Sequence, residues 1–189
     1  MIRPLSEGEI PGAAALAAAA FREDPGFVHI LPDDALRRRR LPSLFEAMLR
    51  VDALAGGNVS GAFDDGALIG LSSIIPAGVA NPDLPDWIKH LPQLAWFLGE
   101  PAALLRALAL IHAIEERRTK ESDYLHLLAV HPATQGRGVG AALLNAAPKS
   151  LYLETFEERN ASWYEARGFR RIAEVRSPVR PSFWALRRG

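Results

Sequence analysis

The sequence predicts an α/β fold, because segments of strand character alternate with helical segments along the chain. The clearest unit is residues 124–145, where an apolar run typical of a buried strand leads through a glycine-rich loop into an apolar helix start. A hairpin pattern and an alanine-rich helix nearer the N-terminus support the same class. With 189 residues, 49% of them hydrophobic, the chain can bury a sizeable core, and we expect a single domain over residues 1–189.

The elements of the N-terminal part are predicted from local patterns. Residues 2–5 are a short strand, 9–21 and 34–54 are helices, 22–32 form a loop, and 58–63 with 67–75 form a hairpin that turns at 64–66. The run of four arginines at residues 37–40 is interpreted as a solvated helix face rather than an anion site.

The rest of the chain continues the alternation. Residues 76–123 carry five prolines and an amphipathic stretch, which indicates an insertion of about two helices between the third and fourth strands. Residues 150–157 are predicted as a strand, 159–167 as a helix ended by Gly168, and 169–175 as a further strand.

Composition excludes several classes of protein. The formal net charge is +0 and the pI is near 7.0, so neither a nucleic-acid partner nor a membrane-surface partner is expected. No apolar run is long enough to span a bilayer, and the N-terminus lacks the apolar region of a secretory signal, so a cytoplasmic protein is expected. There is no cysteine and the histidines lack ligand-like spacing, so we expect no disulfide, no thiolate nucleophile and no metal.

The glycine-rich loop predicts an anion site. A strand that leads through such a loop into a helix N-terminus presents unpaired backbone N–H groups and the positive end of the helix dipole, and this suits a phosphate. Ala141 and Ala142 follow the last glycine where a Walker loop needs Lys and Ser or Thr. The glycines are spaced G-x-G-x-G, which also fails the dinucleotide fingerprint.

The loop QGRGVG resembles the Q/R-x-x-G-x-G/A loop of the GCN5-related N-acetyltransferases, the GNAT superfamily. That resemblance implies a mixed, twisted sheet of about six to seven strands flanked by helices, with acetyl-CoA as cosubstrate. It places the coenzyme pyrophosphate on the loop and the pantetheine arm along the preceding strand. The coenzyme-binding positions implied are Leu128, Ala129, Val130, Gln135, Gly136, Arg137, Gly138, Val139, Gly140 and Asn160.

A second motif lies at residues 160–169 and resembles the N-x-x-x-Y-x-x-x-G-F signature of the same superfamily. Asn160 and Tyr164 are four residues apart and therefore share one face of a helix. The resemblance implies that Asn160 helps to hold the pantetheine arm and that the Tyr164 hydroxyl meets the coenzyme sulfur. An ordinary phenol is protonated at neutral pH, so Tyr164 is the candidate acid; the alternative is a core tyrosine.

The base that deprotonates the acceptor amine is left open between two residues. His126 lies on the predicted fourth strand, on the face of Tyr124 and Leu128 by the two-residue period. The segment LHLLAVHP resembles the strand of arylalkylamine N-acetyltransferases in which a histidine relays a proton, but a structural histidine fits equally well. Glu154 on the next strand is the competitor. A backbone N–H at Val130 or its neighbour is expected to polarise the thioester carbonyl.

Similarity over nearly the whole chain extends to puromycin N-acetyltransferase-like members of the superfamily. In such proteins the loop after the first helix borders the acceptor site, which makes Phe21, Asp24 and Phe27 candidates for substrate contact. Three aromatic residues of the insertion, Trp87, Trp96 and Phe97, either line an apolar acceptor pocket or pack the insertion onto the sheet. One departure is that residues 141–149 leave room for barely two helical turns, where these relatives carry a long helix.

The function expected from these motifs is acetyl-CoA-dependent transfer of an acetyl group to the primary amine of a small molecule, by direct attack in a ternary complex. The alternatives are a protein N-terminal or lysine acetyltransferase, and a non-catalytic acyl-CoA sensor. Neither the acceptor nor a homodimer can be decided from the sequence.

Overall fold

The computed structural model describes residues 1–79, 99, 101–119 and 121–189. One seven-stranded sheet organises them, with the strand order β1-β2-β3-β4-β5-β7-β6. The strands are β1 Ile2–Pro4, β2 Asn58–Asp64, β3 Ala67–Ile75, β4 Asp123–Val130, β5 Leu151–Thr155, β6 Arg170–Val175 and β7 Phe183–Arg188. All neighbours are antiparallel except β4 and β5, which are parallel. The predicted mixed sheet and α/β class are confirmed.

Helices cover both faces of this sheet. They are α1 Ile10–Ala20, α2 Pro25–Ile30, α3 Asp34–Leu54, α4 Pro101–Glu115, α5 Val139–Ala146 and α6 Glu158–Glu165, with short 3-10 turns at Glu7–Glu9 and Pro132–Thr134. No helix in the described part of the chain is both long and apolar enough to cross a membrane.

Two hydrophobic clusters hold the layers together. On one face, α1 and α3 pack against Leu71, Leu127 and Ala129 of the sheet. On the other face, a cluster that includes Leu125 and Leu144 joins the sheet to α5 and α6, with Leu128 packed against it. Because successive side chains of a strand point to opposite faces, β4 contributes to both clusters.

The segment 22–32 departs from the prediction of a loop, because it contains α2. The Asp24 side chain accepts a hydrogen bond from the Gly26 N–H at 2.9 Å, and Pro25 occupies the first turn. Both are standard signals for a helix start, since the aspartate satisfies an unpaired N–H and proline has none to lose there. The prediction gave these turn residues too little weight as a helix cap.

The interpretation of the arginine run as a solvated face is wrong for Arg37. Its side chain is buried and donates to the carbonyl oxygens of Arg22, Leu31 and Pro32 at 2.8–2.9 Å. A guanidinium can satisfy several carbonyls at once, which is why it can be buried here. Arg37 therefore fastens the start of α3 to the turn that precedes it.

The insertion between β3 and β4 is described only in part. Helix α4 is present, and its Arg106 donates to the Ile30 carbonyl oxygen at 2.7 Å, which ties the insertion to α2. Trp87, Trp96 and Phe97 lie outside the described residues.

Helix α5 is as short as the sequence predicts, with eight residues. It ends at Ala146 with Ala147 as its C-cap, just before Pro148, and β5 begins at Leu151. The helix lies close against β3 at Gly70, where a Cβ atom would be 2.8 Å from the Val139 side chain. This close approach holds the start of α5, and with it the glycine-rich loop, at the end of β4.

Candidate active site

The central feature of the site is a fork between β4 and β5. These two strands pair only at Asp123 with Leu151 and at Tyr124 with Tyr152. Beyond those positions β4 stays paired with β3, while β5 follows β7. Past Tyr124 and Tyr152 the two strands therefore separate, and a gap opens between them within the sheet.

The backbone of β4 turns polar groups toward this opening. The backbone N–H of His131 donates to the Ile69 carbonyl oxygen on β3 at 3.0 Å, so the backbone polar groups of His131 face β3. The direction of the backbone N–H and C=O groups alternates along a strand. The pairs Val130–Gly70 and Leu128–Ser72 are therefore the non-hydrogen-bonded positions between β4 and β3. The N–H groups of Leu128 and Val130 thus face the fork, where no described strand accepts them.

Ala129 faces the other way. Its side chain is buried in the cluster beneath α1 and α3, and its backbone polar groups point to β3. Of the three strand positions predicted to bind the coenzyme, it is the two flanking residues that offer donors to the fork.

The glycine-rich loop follows β4 and has the geometry of an anion cradle. Gly136 and Gly138 have φ of +79° and +83°, a region that other residues rarely adopt, and a Cβ atom at either would meet nothing within 4 Å. Gly138 is the N-cap of α5 and has no side chain to satisfy the N–H groups of the first turn.

Side chains around the loop leave the N–H groups accessible. Arg137 is exposed and pairs with Asp64 at 3.1 Å, while the Gln135 amide donates to the Val130 carbonyl oxygen at 3.3 Å. The open space above the glycines, the uncapped helix start and a nearby arginine fit a pyrophosphate. Val139 and Gly140 form the first turn of α5, and Gly140 lies against Val130 and Trp163.

Tyr164 and Asn160 lie on α6, on the same side of the sheet as α5. The Tyr164 ring packs against Trp163 and Phe169, with centroids 5.0 and 5.3 Å away, next to the cluster that also receives Leu128. Burial raises the pKa of the Tyr164 phenol above its usual range, so the hydroxyl keeps its proton at neutral pH. Asn160 is exposed, one turn earlier on the helix.

A β-bulge changes the face on which His126 lies. The register moves from Ser73–Leu127 to Ile74–Leu125, which leaves His126 as an extra residue on β4. His126 shares a face with Tyr124, and the two rings stack at 5.3 Å. Leu128 instead packs on the opposite face, so the expectation that it shares the face of His126 is wrong. The two-residue period fails because the bulge shifts the alternation by one.

His126 is held by a carboxylate from α3. Its Nδ1 lies 2.9 and 3.0 Å from the two carboxylate oxygens of Asp52, which is 1% exposed. Burial lowers the pKa of His126, but the charge and hydrogen bond of Asp52 outweigh it, and the net pKa is raised.

Glu154 lies on β5, two residues past the last pairing with β4, just as His126 lies two residues past it on β4. Burial raises the pKa of Glu154 to about 7. The Tyr152 and Tyr124 hydroxyls and the charges of His126 and Arg118 oppose this change, because each of them lowers the pKa. Within the described residues, neither Glu154 Oε1 nor the Tyr152 hydroxyl makes a hydrogen bond of ordinary geometry. The two candidate bases therefore lie together at the fork.

The candidate acceptor residues lie near the end of β5. The Phe21 and Phe27 rings pack on Phe45, with centroids 5.4 and 5.2 Å away. Burial raises the pKa of Asp24 to about 6, and the charge of Glu157, just beyond β5, acts in the same direction. A Cβ atom on Gly26 would be 2.9 Å from the Phe156 ring, so α2 touches the segment that leaves β5.

Asp52 is the principal residue that the sequence interpretation missed. An acidic residue in the last turn of a helix is disfavoured by the helix dipole, and Asp52 stands there between apolar residues. That unusual placement is the feature of the sequence from which a role for Asp52 could have been predicted. Tyr124, Tyr152 and Arg118 gave no comparable signal.

Comparison with known proteins agrees with this geometry. Residues 103–171 match the Acetyltransferase (GNAT) domain, a range that runs from α4 through β4, the glycine-rich loop and α6 into β6.

Solved structures share the fold over the whole chain. A protein of Corynebacterium glutamicum ATCC 13032 named histone acetyltransferase HPA2 and related acetyltransferase has a TM-score of 0.74 at 23% identity, covering 100% of this chain and 94% of that one. The PaiA N-acetyltransferase of Thermoplasma acidophilum, solved in complex with coenzyme A, has a TM-score of 0.60 at 15% identity, covering 100% and 97%. A ribosomal-protein-alanine N-acetyltransferase of Brucella melitensis has a TM-score of 0.52 at 16% identity, covering 100% and 98%.

At these identities the structural likeness establishes the fold alone. The similarity to the Acetyltransferase (GNAT) domain covers residues 103–171.

Proposed function

We propose that the protein is an acetyl-CoA-dependent N-acetyltransferase, an acyltransferase that moves an acetyl group to the primary amine of a small molecule by direct attack in a ternary complex. The observation that carries the proposal is the fork. Backbone donors face the fork, the glycine-rich loop and Tyr164 lie on one side of it, and two ionisable groups, His126 and Glu154, lie on the other. An acyl transfer needs these two sides, one for the thioester and one for the amine.

On the coenzyme side, the loop Gln135–Gly140 holds the pyrophosphate, with Arg137 adding positive charge. Asn160 and the backbone of Leu128 and Val130 hold the pantetheine arm. When bound, acetyl-CoA supplies the activated acetyl group as a thioester. The neighbour from T. acidophilum, which was solved with coenzyme A, supports this assignment by its fold.

On the acceptor side, a protonated amine must lose its proton before its lone pair can react. His126 takes that proton, and Glu154 is the alternative acceptor. The Val130 N–H polarises the carbonyl oxygen at the fork. Tyr164 gives a proton to the departing sulfur, and burial keeps the phenol protonated for this step. The Glu154 carboxylate and the Tyr152 hydroxyl can also bond the amine or a bridging water.

The acceptor is proposed to be an amine attached to an apolar group, and the puromycin N-acetyltransferase-like layout belongs to this proposal. Phe21 and Phe27 form an aromatic surface beside α2, and Asp24 with Glu157 places negative charge near the end of β5. Negative charge next to apolar rings suits a cationic amine.

A second candidate is acetylation of a protein N-terminus or lysine. Two neighbours of the same fold carry names of that kind, a histone acetyltransferase and a ribosomal-protein-alanine N-acetyltransferase. A non-catalytic acyl-CoA sensor is the third candidate, and the presence of Tyr164 argues against it.

Turnover of acetyl-CoA on matched panels tests these candidates. Release of free thiol is measured with a panel of small primary amines and with a panel of peptides that present free N-termini or lysines. Activity on the amines alone supports the proposal, and activity on the peptides alone supports the second candidate. Coenzyme binding by calorimetry without thiol release on either panel would leave only the sensor.

A further inference from the structure

Asp52 is a buried charge whose place in the fold calls for an explanation. It lies in the last turn of α3, is 1% exposed, and binds His126 Nδ1 with both carboxylate oxygens. The Ser73 hydroxyl on β3 donates to the same carboxylate at 2.5 Å. Burial of a carboxylate is costly unless it is paired and hydrogen-bonded, and the end of a helix is the wrong place for it electrostatically. Helix stability therefore does not account for Asp52.

The backbone of Asp52 is also held in place by the turn that follows α3. The Gly57 N–H donates to the Asp52 carbonyl oxygen at 2.8 Å, and a Cβ atom on Gly57 would lie 2.6 Å from that oxygen. Together with Ser73, this contact fixes Asp52 from β3 and from the turn after α3. A group fixed in this way can in turn fix the ring that it binds.

We propose that Asp52 is the positioning residue for the base of acetyl transfer, holding the His126 ring through Nδ1 and leaving Nε2 to accept the proton of the acceptor amine. This inference rests on the proposed function, since the ring needs a set orientation only if it takes up that proton. Asp52 touches neither coenzyme nor acceptor in this scheme. It selects which ring nitrogen carries hydrogen, because the nitrogen that faces a carboxylate keeps its N–H.

The other groups that face His126 do not replace this role. Tyr124 stacks on the ring, and the Arg118 guanidinium lies 4.1 Å above the Tyr124 ring. Arg118 lowers the pKa of His126 and Glu154 on β5 raises it, but Asp52 acts more strongly than either. Tyr152 faces Glu154 from the same strand. Within the part of the chain that the structure describes, Asp52 alone lies within hydrogen-bond distance of the imidazole.

A titration of the His126 imidazole tests the proposal without any acetyl transfer. In 15N-labelled wild-type protein, NMR is expected to show the neutral ring as the tautomer with hydrogen on Nδ1. In Asp52→Asn, the pKa of the ring is expected to fall by about 1–3, because the opposite charge is lost. Ser73→Ala is the matched control, since it removes a hydrogen bond to the carboxylate but keeps the charge, and the pKa is expected to stay raised.

Kinetics complete the test. Asp52→Asn is expected to lower kcat by about 10–100-fold with little change in the KM for acetyl-CoA, and to move the acidic limb of the pH–rate profile to lower pH. An unchanged imidazole pKa in Asp52→Asn, or a wild-type neutral ring with hydrogen on Nε2, overturns the proposal. Because the wild-type tautomer needs no substitution, a variant that fails to fold does not block this outcome. If the wild-type imidazole titrates as expected but His126→Ala keeps full activity, the role of His126 in the proposed function is overturned instead.

Discussion

The two sides of the β4–β5 fork are built in different ways. The proposed coenzyme side consists mainly of backbone: N–H groups of β4, two glycines at positive φ and the start of α5, all within residues 128–141. The acceptor side consists of side chains from distant parts of the chain, with Asp52 on α3, His126 on β4 and Glu154 on β5. The coenzyme side comes from one short stretch of chain and offers backbone dipoles. The acceptor side combines residues that are distant in sequence and offers charged side chains.

This difference decides how each side responds to change. A backbone site depends on conformation, so most side-chain substitutions leave it intact and changes at the glycines do not. A side-chain site in a buried setting depends on each charge, because removal of one partner leaves the other unpaired. Four measurements, in order of decreasing effect, separate the two sides.

The largest effect is expected on the acceptor side. His126→Ala is expected to lower kcat/KM by about 10²–10⁴-fold, the usual contribution of a positioned base. The measurement is thiol release from about pH 5 to about pH 9, with Glu154→Ala as the matched variant. The variant that loses the acidic limb identifies the base, and a residue whose removal leaves that limb unchanged is excluded.

Glu154 is expected to make stability depend on pH. Its pKa is raised from 4.5 to about 7 in the folded state, so the folded form binds the proton more tightly than the unfolded chain does. The contribution is fully present below about pH 4.5 and is lost as the pH rises through about 7, a change of up to about 3 kcal/mol. His126, whose pKa is also raised, changes stability in the same direction.

Chemical denaturation at several pH values checks this expectation. The free energy of unfolding of the wild type is expected to decline between these pH values, and Glu154→Gln is expected to flatten the decline. A wild-type protein that grows more stable over this range would show that Glu154 is not held in its protonated form.

Tyr164→Phe is expected to lower kcat at least about 10-fold, because sulfur then departs without a proton. The ring contacts with Trp163 and Phe169 remain, so Tm and the Kd for coenzyme A are expected to stay close to the wild-type values. Stopped-flow or steady-state thiol release gives the rate, and calorimetry gives the Kd. Unchanged turnover would rule out Tyr164 as the acid and leave it a packing residue.

The smallest effect is expected in the loop. Gly138→Ala places a side chain at φ +83°, which costs about 1–2 kcal/mol. If the loop conformation binds the coenzyme, the Kd is expected to rise about 5–30-fold. Gly66→Ala is a matched control, since Gly66 has φ +81° and open space around it but lies in the β2–β3 hairpin turn. Equal changes in Kd for the two variants would contradict a specific role of the loop.

The same division explains what could be predicted from the sequence. The coenzyme side is encoded within one short stretch, so its glycines and helix start could be recognised without knowledge of the fold. Tyr164 and Asn160 were predicted as site residues in the same way, since both lie on one short helix. The hairpin and helix α3 follow from local patterns as well.

The acceptor side could not be assembled from local patterns. Asp52 and His126 are 74 residues apart, and only the packing of α3 on the sheet brings them together. No residue type around His126 signals the β-bulge, so strict alternation of side chains along β4 assigned Leu128 to the wrong face. Arg37 was misjudged because its carbonyl partners lie at the two ends of α2, in the segment 22–32 that was predicted as a loop.

The single extra residue of β4 also governs how this strand can be compared or redesigned. It allows His126 to face α3 while Leu128, only two positions later, faces α6. In a regular strand these two residues would lie on the same face. Deleting Leu127, the residue between them, would remove the bulge and make the two residues direct neighbours, which a regular strand still sends to opposite faces. Alignments across β4 should therefore follow strand register rather than residue count, and a base grafted onto a relative without the extra residue should be moved by one position.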